Sequence, residues 1–426
     1  MSAQQDLSLE LIKTLSHPGH SSSRAWHAAA HPNSPLLAVA SADKQVYVWS
    51  LRDFQLVNKI EGGHKRSVRC VDWKPAGAKV TLATGSFDAA VGIWEASRDS
   101  DESEDNDEKE AWEFSSRLDG PDSEIKSVHF SPEHYSAHIL ATCSRDKSIW
   151  IWEEVEDGEW ETMAVLQEHQ GDVKCVKWCE GATMSPKSKD ESPRIVGSSE
   201  LLASASYDDT IRLWRDVEEE GDWACVSLLE GHGGTVWDLS WEKWIDSTAS
   251  FLSENDWEQD WSPRLMSCSD DCSIKTWRRE LSDAEKEKRR RQRGTDGGAY
   301  TQRIPSTIRP TSHFETWVED QTLPTVHVRP VYAIDWSRRT GLVVSCGGDG
   351  TIAVYREKRN ENASDTTWEV VALQESAHGD YEVNHVFWAL RRDSGASEEE
   401  VIVSCGDEGD VRIWRIGTPN AGSSTG

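Results

Sequence analysis

Histidine, a hydroxyl and aspartate recur together along the 426-residue sequence: His64 with Thr84 and Asp88, His169 with Ser204 and Asp208, His232 with Ser267 and Asp271. These are the parts of a hydrolase triad, in which imidazole takes the hydroxyl proton and a carboxylate holds the imidazolium. Two cysteine pairs, Cys175/Cys179 and Cys268/Cys272, have C-x3-C spacing and invite zinc or an iron–sulfur cluster. The run KEKRRRQR at 286–293 invites nuclear import, against its commoner role as a solvated loop.

Repetition decides the first case, because a single active site is not written several times around a chain. In each set a tryptophan follows the hydroxyl by ten residues, as Trp94, Trp214 and Trp277. Buried polar groups need partners, and an indole N–H can close a relay that holds structure without catalysis. The same logic removes His–Asp metal sites. The thiols follow a period as well. Cys143, Cys268, Cys346 and Cys405 fall nine residues before a terminal aromatic, where other copies have Ala40, Gly85 and Ala205. Cys70 and Cys175 share a second register. Small residues at periodic positions are packing residues. No metal and no cofactor is expected.

The elements that place these groups are seven copies of one ending: SADKQVYVW to Trp49, SFDAAVGIW to Trp94, SRDKSIWIW to Trp152, SYDDTIRLW to Trp214, SDDCSIKTW to Trp277, GGDGTIAVY to Tyr355 and GDEGDVRIW to Trp414. Each is a turn followed by an alternating apolar run, the signature of a strand. Six residues before the aromatic stand Asp43, Asp88, Asp146, Asp208, Asp271 and Asp349, with Glu408 in the seventh copy. Ten before it stand Thr84, Thr142, Ser204, Ser267, Ser345 and Ser404, with Val39 breaking the pattern. Histidines lie upstream at 64, 169, 232, 327 and 378; the first copy offers His17 or His20, and the third has Pro121 instead. Three sets are complete on this reading.

Such copies resemble the blades of WD40 propellers. The resemblance implies an all-β, seven-bladed β-propeller in which the His–Ser/Thr–Asp–Trp set is a structural tetrad. Outer-strand candidates are FQLVNKI (54–60), WEFSSRL (112–118), WETMAVL (160–166), WACVSLL (223–229) and WEVVALQ (368–374). Nothing suitable follows Trp414, but LELIKTL (9–15) precedes the first copy, so the N-terminal strand is expected to complete the last blade. Residues 1–416 then form a single domain, with 417–426 a polar tail and insertions at about 97–110, 180–200, 243–263 and 278–311.

Composition narrows the partners. Lys and Arg number 46 against 75 Asp and Glu, a net charge of −29, which repels phosphate backbones. No direct nucleic-acid binding and no membrane association is expected. Nine cysteines without a leader point to a reducing compartment, so the cytoplasm is the expected location, with the nucleus second.

Three registers point toward the face that carries the turns. Seven residues before the aromatic are Ala42, Phe87, Arg145, Tyr207, Asp270, Gly348 and Asp407. Five before it are Lys44, Ala89, Lys147, Asp209, Cys272, Gly350 and Gly409. Just after the first apolar residue of each inner strand are Trp26, Arg69, Lys126, Lys174, Trp237, Tyr332 and Asn384. Lys44, Arg69, Lys126, Arg145, Lys147 and Lys174 gather in copies 1 to 4, with Tyr207, Trp237 and Tyr332 beside them. Such a patch suits an acidic peptide or a terminal carboxylate with an aromatic or aliphatic anchor.

ILATCSRDKSIWIWE (139–153), HQGDVKCVKW (169–178), LLASASYDDTIRLWR (201–215), LLEGHGGTVWDLSW (228–241) and SCSDDCSIKTWR (267–278) go beyond the generic repeat. They resemble the WD40 subunit of the cytosolic iron–sulfur assembly targeting complex, over essentially all seven copies. The insertions depart from the compact pattern and look like a fungal-type elaboration. The resemblance implies a non-enzymatic scaffold joining a small acidic-domain subunit and a large helical-repeat subunit. Together they help pass 4Fe–4S clusters to cytosolic and nuclear apoproteins, with iron–sulfur clients or adaptors as further partners. It also implies that Arg145, in the SRDKS turn, is the functional upper-face arginine. Outside the complex the chain is expected to be a monomer. The alternatives are an adaptor or substrate receptor of another complex such as a ubiquitin ligase, a channel enzyme, and a reader of histone tails.

Overall fold

The computed structural model describes residues 7–17, 23–77, 79–96, 112–133, 138–156, 158–180, 182–184, 194–196, 201–217, 222–243, 263–280, 315–359, 366–392 and 398–417. The described residues form seven four-stranded antiparallel sheets, the blades of a propeller. Blade 1 is Ala25–Ala30, Leu36–Ser41, Val46–Ser50 and Leu56–Ile60, inner to outer, and blades 2 to 6 repeat that order. Blade 7 takes Val383–Arg392, Glu398–Gly406 and Val411–Gly417 from the end of the chain and Ser8–Leu15 from its start. Leu15 pairs with Val411 and Ser8 with Gly417, so the two ends close the ring as the sequence predicts. Gly417 thus ends a strand instead of opening the tail.

Four outer-strand candidates lie within the observed strands Trp112–Asp119, Glu159–Leu166, Trp223–Leu229 and Thr366–Gln374, and in blade 1 only 56–60 is strand. Blade 5 uses Thr316–Thr322, which the sequence reading missed. TWVEDQT alternates poorly, and its distance from Trp277 hides it. The insertion at 180–200 contributes a small hairpin, Ala182–Met184 with Arg194–Val196, so it is not wholly a loop. The insertion at 97–110, Trp244, Trp257, Trp261, the run at 286–293, His20 and the tail beyond Gly417 lie outside the described residues.

The 22 tryptophans are largely explained by position. One class lies within the third strands. A second closes the inner strands, and its indole N–H groups donate to main-chain carbonyls of the preceding blade: Trp73 to Ala29 at 2.8 Å, Trp178 to His129 at 3.0 Å, Trp241 to Lys177 at 3.1 Å and Trp388 to Asp335 at 3.3 Å. A third class opens the outer strands and meets the second edge-on, as Trp178 with Trp223 at 5.5 Å and Trp336 with Trp368 at 5.6 Å. Tryptophan combines the largest apolar area with a donor, which suits a wedge that must fill a blade and bond to the next one.

Two local features shape the turn-bearing face, here called the upper face. The residue five before each terminal aromatic has positive φ in all seven blades, from 64° at Cys272 to 96° at Gly409. Only two of these are glycine; the others, including Lys44 and Lys147, hold a left-handed conformation that turn hydrogen bonds stabilise. Each inner strand also has a bulge one residue after its start, at Trp26, Arg69, Lys126, Lys174, Trp237, Tyr332 and Asn384. A bulge re-aims the side chain it carries, here toward the upper mouth of the channel. Apart from 18–22, the internal segments outside the description join strands at the lower ends of the blades.

Leu15 is buried in the seam between blades 7 and 1, whereas Leu11 on the same strand is half exposed. Leu15→Ala is expected to cost about 2–5 kcal/mol and Leu11→Ala less than about 1 kcal/mol in chemical denaturation. Equal small costs would mean that the strand is not docked.

Candidate functional site

The His–hydroxyl–Asp sets are relays under the upper face. In blade 2, His64 Nε2 lies 2.7 Å from Thr84 Oγ1 and Nδ1 3.3 Å from Asp88, while Trp94 donates its indole N–H to Thr84 at 3.1 Å. Blade 4 repeats this with His169, Ser204, Asp208 and Trp214, and blade 5 with His232, Ser267, Asp271 and Trp277. Two more relays close where the sequence looked interrupted. In blade 6, His327 bonds Ser345 at 2.7 Å and Asp349 at 3.1 Å, and the Ser345 and Tyr355 hydroxyls are 3.4 Å apart. In blade 7, Glu408 reaches His378 at 2.5 Å and Trp414 donates to Ser404 at 2.8 Å.

Blades 1 and 3 solve the problem differently, each with an aromatic two residues before the terminal tryptophan. Tyr47 places its hydroxyl 2.8 Å from Asp43 and stacks on His17 at 3.9 Å. Trp150 donates to Ser148 at 2.9 Å, and Ser148 donates to Asp146. Pro121 is tolerated there because no imidazole is needed. Burial alone would raise the carboxyls of Asp88, Asp208 and Asp271, but hydrogen bonds from the histidines and from backbone N–H groups outweigh it and hold them below the usual range. These groups are consumed by structure.

The upper mouth is a different environment. Arg69 lies over Trp26 at 5.3 Å, Lys126 over Phe87 at 5.0 Å, and Lys174 between Tyr207 at 5.4 Å and Trp237 at 5.0 Å. Trp237 meets Tyr332 edge-on at 5.4 Å and donates to Asp270 at 2.5 Å. The result is a belt of alternating cations and aromatic faces, each pair worth about 0.5–2 kcal/mol. Tyr332 donates to Glu382 at 3.2 Å, and burial followed by that carboxylate pushes its hydroxyl up to about 12.

Arg145 is exposed beside this belt, 3.5 Å from Glu124 and 4.0 Å from Asp172. Glu124 also bonds Lys126 at 2.8 Å, and Asp172 bonds Lys174 at 3.2 Å. The register map missed both acids. They precede the first apolar residue of their inner strands, Ile125 and Val173, so one further register would have found them. The patch is therefore a mixed network with an excess of cations. Lys44 and Lys147 stand exposed on their own turns, and no ion pair ties either to the network among the described residues.

The cysteine pairs are split by packing. Cys175 is buried and donates to Asp238 at 3.1 Å, Cys179 lies in the core between blades 4 and 5, Cys268 is buried, and Cys272 sits on the blade 5 turn. Burial pushes Cys70 up to about 12 and Cys175 and Cys268 well above the ordinary thiol value, so these remain thiols rather than thiolate ligands. Among the described residues, no group of three or more His, Cys, Asp or Glu is arranged to hold a metal ion.

Below the belt, the channel holds a cavity of about 170 Å³ lined by His27, Asp72, His129, Lys177, Asp238 and Asp335, with His385 beside them. Asp72 accepts from Phe130 N–H at 2.7 Å, His129 from Trp178 N–H at 3.2 Å and Asp335 from Trp388 N–H at 2.9 Å, each from the following blade. The polar groups thus staple neighbouring blades. At the closing seam the His27 and His385 rings lie 3.9 Å apart, and Ala28 N–H donates to His385 Nδ1 at 3.5 Å.

The chain matches the family described as WD domain, G-beta repeat, over residues 9–50, 54–95, 112–153, 160–215, 223–278 and 320–356. It is 42% identical to a probable cytosolic iron-sulfur protein assembly protein 1 of Botryotinia fuckeliana, covering 92% of this chain and 94% of that one. A protein of the same name from Aspergillus flavus is 42% identical over 98% of this chain and all of its own. One from Neurospora crassa is 38% identical over 92% of each.

Burial, with Lys177 and Arg69 nearby, holds His385 well below its ordinary value, and His27 and His129 are depressed by burial in the same way. A neutral folded histidine binds fewer protons than the unfolded one, so its stability contribution is present above about pH 6.5 and lost as pH falls below it. Asp72, pushed up to about 6 by burial, opposes the trend. His385→Asn keeps an acceptor for Ala28 but cannot titrate. Its melting temperature is expected to fall less than wild type between about pH 7.5 and 5.5; parallel slopes would exclude His385 as a contributor.

Proposed function

The chain belongs to the WD40-repeat family of cytosolic iron–sulfur protein assembly proteins, and on that premise we propose that it is a non-enzymatic docking subunit. Its partners in this reading are a small acidic-domain subunit and a large helical-repeat subunit, with iron–sulfur apoproteins or their adaptors as clients. The 4Fe–4S cluster is cargo passed within the assembly, and the work is done in the cytosol, with nuclear clients also served. One observation carries the reading. The His, Ser and Asp groups that could do chemistry are committed to repeated relays, while the upper mouth presents an unrepeated belt of cations and aromatics.

Arg145, Lys147, Lys44, Arg69, Lys126, Lys174, Tyr207, Trp237 and Tyr332 form the partner-binding surface in this proposal. Arg69, Lys126 and Lys174 are half buried against aromatic rings, which lowers the entropy lost on binding. Arg145 is free to turn from Glu124 and Asp172 to an incoming carboxylate, which would leave those acids with Lys126 and Lys174. An acidic segment with an aromatic or aliphatic anchor suits this mouth.

Affinity purification of tagged wild type and Arg145→Glu, read by mass spectrometry, tests the proposal. Wild type is expected to capture cluster-assembly subunits and iron–sulfur enzymes. The variant, with an unchanged melt, is expected to lose at least one partner class by about tenfold or more. Full retention would move the site elsewhere, and ligase or chromatin partners would overturn the functional reading.

A further inference from the structure

Three adjacent blades put ionisable side chains at one height in the channel. Four residues after the first apolar residue of the inner strand, blades 2, 3 and 4 place Asp72, His129 and Lys177, and all three line the cavity below the belt. Other carboxylates of that cavity are engaged. Asp335 takes the Lys243 ammonium at 2.8 Å and the Ser240 hydroxyl at 3.2 Å. Asp238 takes the Ile334 N–H and the Cys175 thiol, each at 3.1 Å. Asp72, His129 and Lys177 are left with unused hydrogen-bonding capacity.

Lys177 lies deep in the channel wall and stays partly open to the cavity. Of the two lysines on that lining, Lys243 has its carboxylate in Asp335. The Lys177 ammonium has no ion pair and no hydrogen bond among the described residues. Burial alone would lower it, but the charges of Asp238, Asp72 and Asp335 at longer range outweigh that and hold it above its ordinary value, so it remains an ammonium. His129 accepts the Trp178 N–H at Nδ1, and burial keeps the ring neutral. Its Nε2 therefore carries the proton, and no described residue accepts from it. Asp72 accepts the Phe130 N–H at Oδ2, and no described side chain donates to its Oδ1. The layer thus offers an ammonium and an imidazole N–H on one side and an open carboxylate oxygen on the other.

We propose that this layer binds a small oxyanion that carries its own proton, of the hydrogen phosphate or hydrogen carbonate class. Lys177 and His129 donate to its oxygens, and its O–H donates to Asp72. Water can fill any of these hydrogen bonds, but it brings no counter-charge to a buried ammonium, and an oxyanion brings both. The same donors repel a metal ion. At about 170 Å³ the cavity has room for roughly five waters of about 30 Å³ each, enough for a tetrahedral oxyanion. Its lining reaches Glu180 and Lys243, past the inner-strand ends Trp178 and Trp241, so a guest enters from the lower mouth. The net charge of −29 is spread over the whole chain, whereas the ammonium acts at contact distance in a low-dielectric channel. The site lies below the belt and does not rest on the docking surface proposed there.

The test is isothermal titration calorimetry of the full chain with inorganic phosphate and with sulfate, near neutral pH. The two anions have the same shape and similar charge, but sulfate has no proton to donate. Wild type is expected to bind phosphate, and to bind sulfate about tenfold or more weakly, because sulfate sets an oxygen against Asp72. Asp72→Asn keeps an acceptor for Phe130 and turns an amide N–H toward the cavity, so the preference should vanish or invert. Lys177→Met should weaken phosphate binding by about tenfold or more. Arg145→Glu, on the belt, should change neither. If Lys177→Met does not fold, the phosphate-to-sulfate ratio of wild type and Asp72→Asn decides alone. No phosphate binding by wild type, equal binding of the two anions, or a preference that Asp72→Asn leaves intact would overturn the proposal. So would binding that survives Lys177→Met, by placing the anion on the exposed cations of the belt.

Discussion

The upper face depends on one carboxylate beneath each turn. In blades 2, 4 and 5 it receives the relay histidine from one side and a backbone N–H of the incoming loop from the other. The hydroxyl on the second strand then joins the histidine to the indole on the third. One relay therefore fixes three strands and the loop that enters the blade. Leaving any member unmatched would bury a polar group without a partner, which costs about 1–3 kcal/mol, so the network is held as a unit. Blades 1 and 3 keep the carboxylate and change what covers it, using Tyr47 in one and Trp150 through Ser148 in the other. The acid is the constant and the imidazole is one way to satisfy it.

Rigid loops make the bulges useful. Each inner strand turns one side chain toward the channel mouth, and no hydrogen-bond pattern dictates which residue that must be. The ring can therefore vary from blade to blade while the backbone repeats. Arg69, Lys126 and Lys174 use that freedom on one side, and Trp237 and Tyr332 beside them. The large insertions join strands at the opposite end of the blades. Ala96 and Trp112, the described residues on either side of 97–110, end and open strands of blade 2 away from the belt.

Most of the fold was legible because every register could be counted from a terminal aromatic. The closing strand at 9–15 was visible because blade 7 lacked an outer strand and the chain began with one too many. Blade 5 failed that logic, since the residues between Glu280 and Thr316 separate its last two strands and TWVEDQT has little apolar alternation. Tyr355 and Glu408 looked like breaks in the pattern, yet each can still reach its partner, Glu408 by one extra methylene. The mouth was only half legible. Its cations were in the register map, but the acids two residues before Lys126 and Lys174 were not, and the reach of Arg145 to both acids depends on separate loops meeting in space.

The central claim is that the upper face is the docking face. Hydrogen–deuterium exchange of the full chain, alone and with the proposed small acidic-domain subunit, helical-repeat subunit and a client, tests it most directly. The account predicts new protection in the upper-face loops and turns, around 119–126, 144–148, 170–174 and 327–332. Protection confined to the lower strand ends or the outer strands, with these loops unchanged, would contradict it.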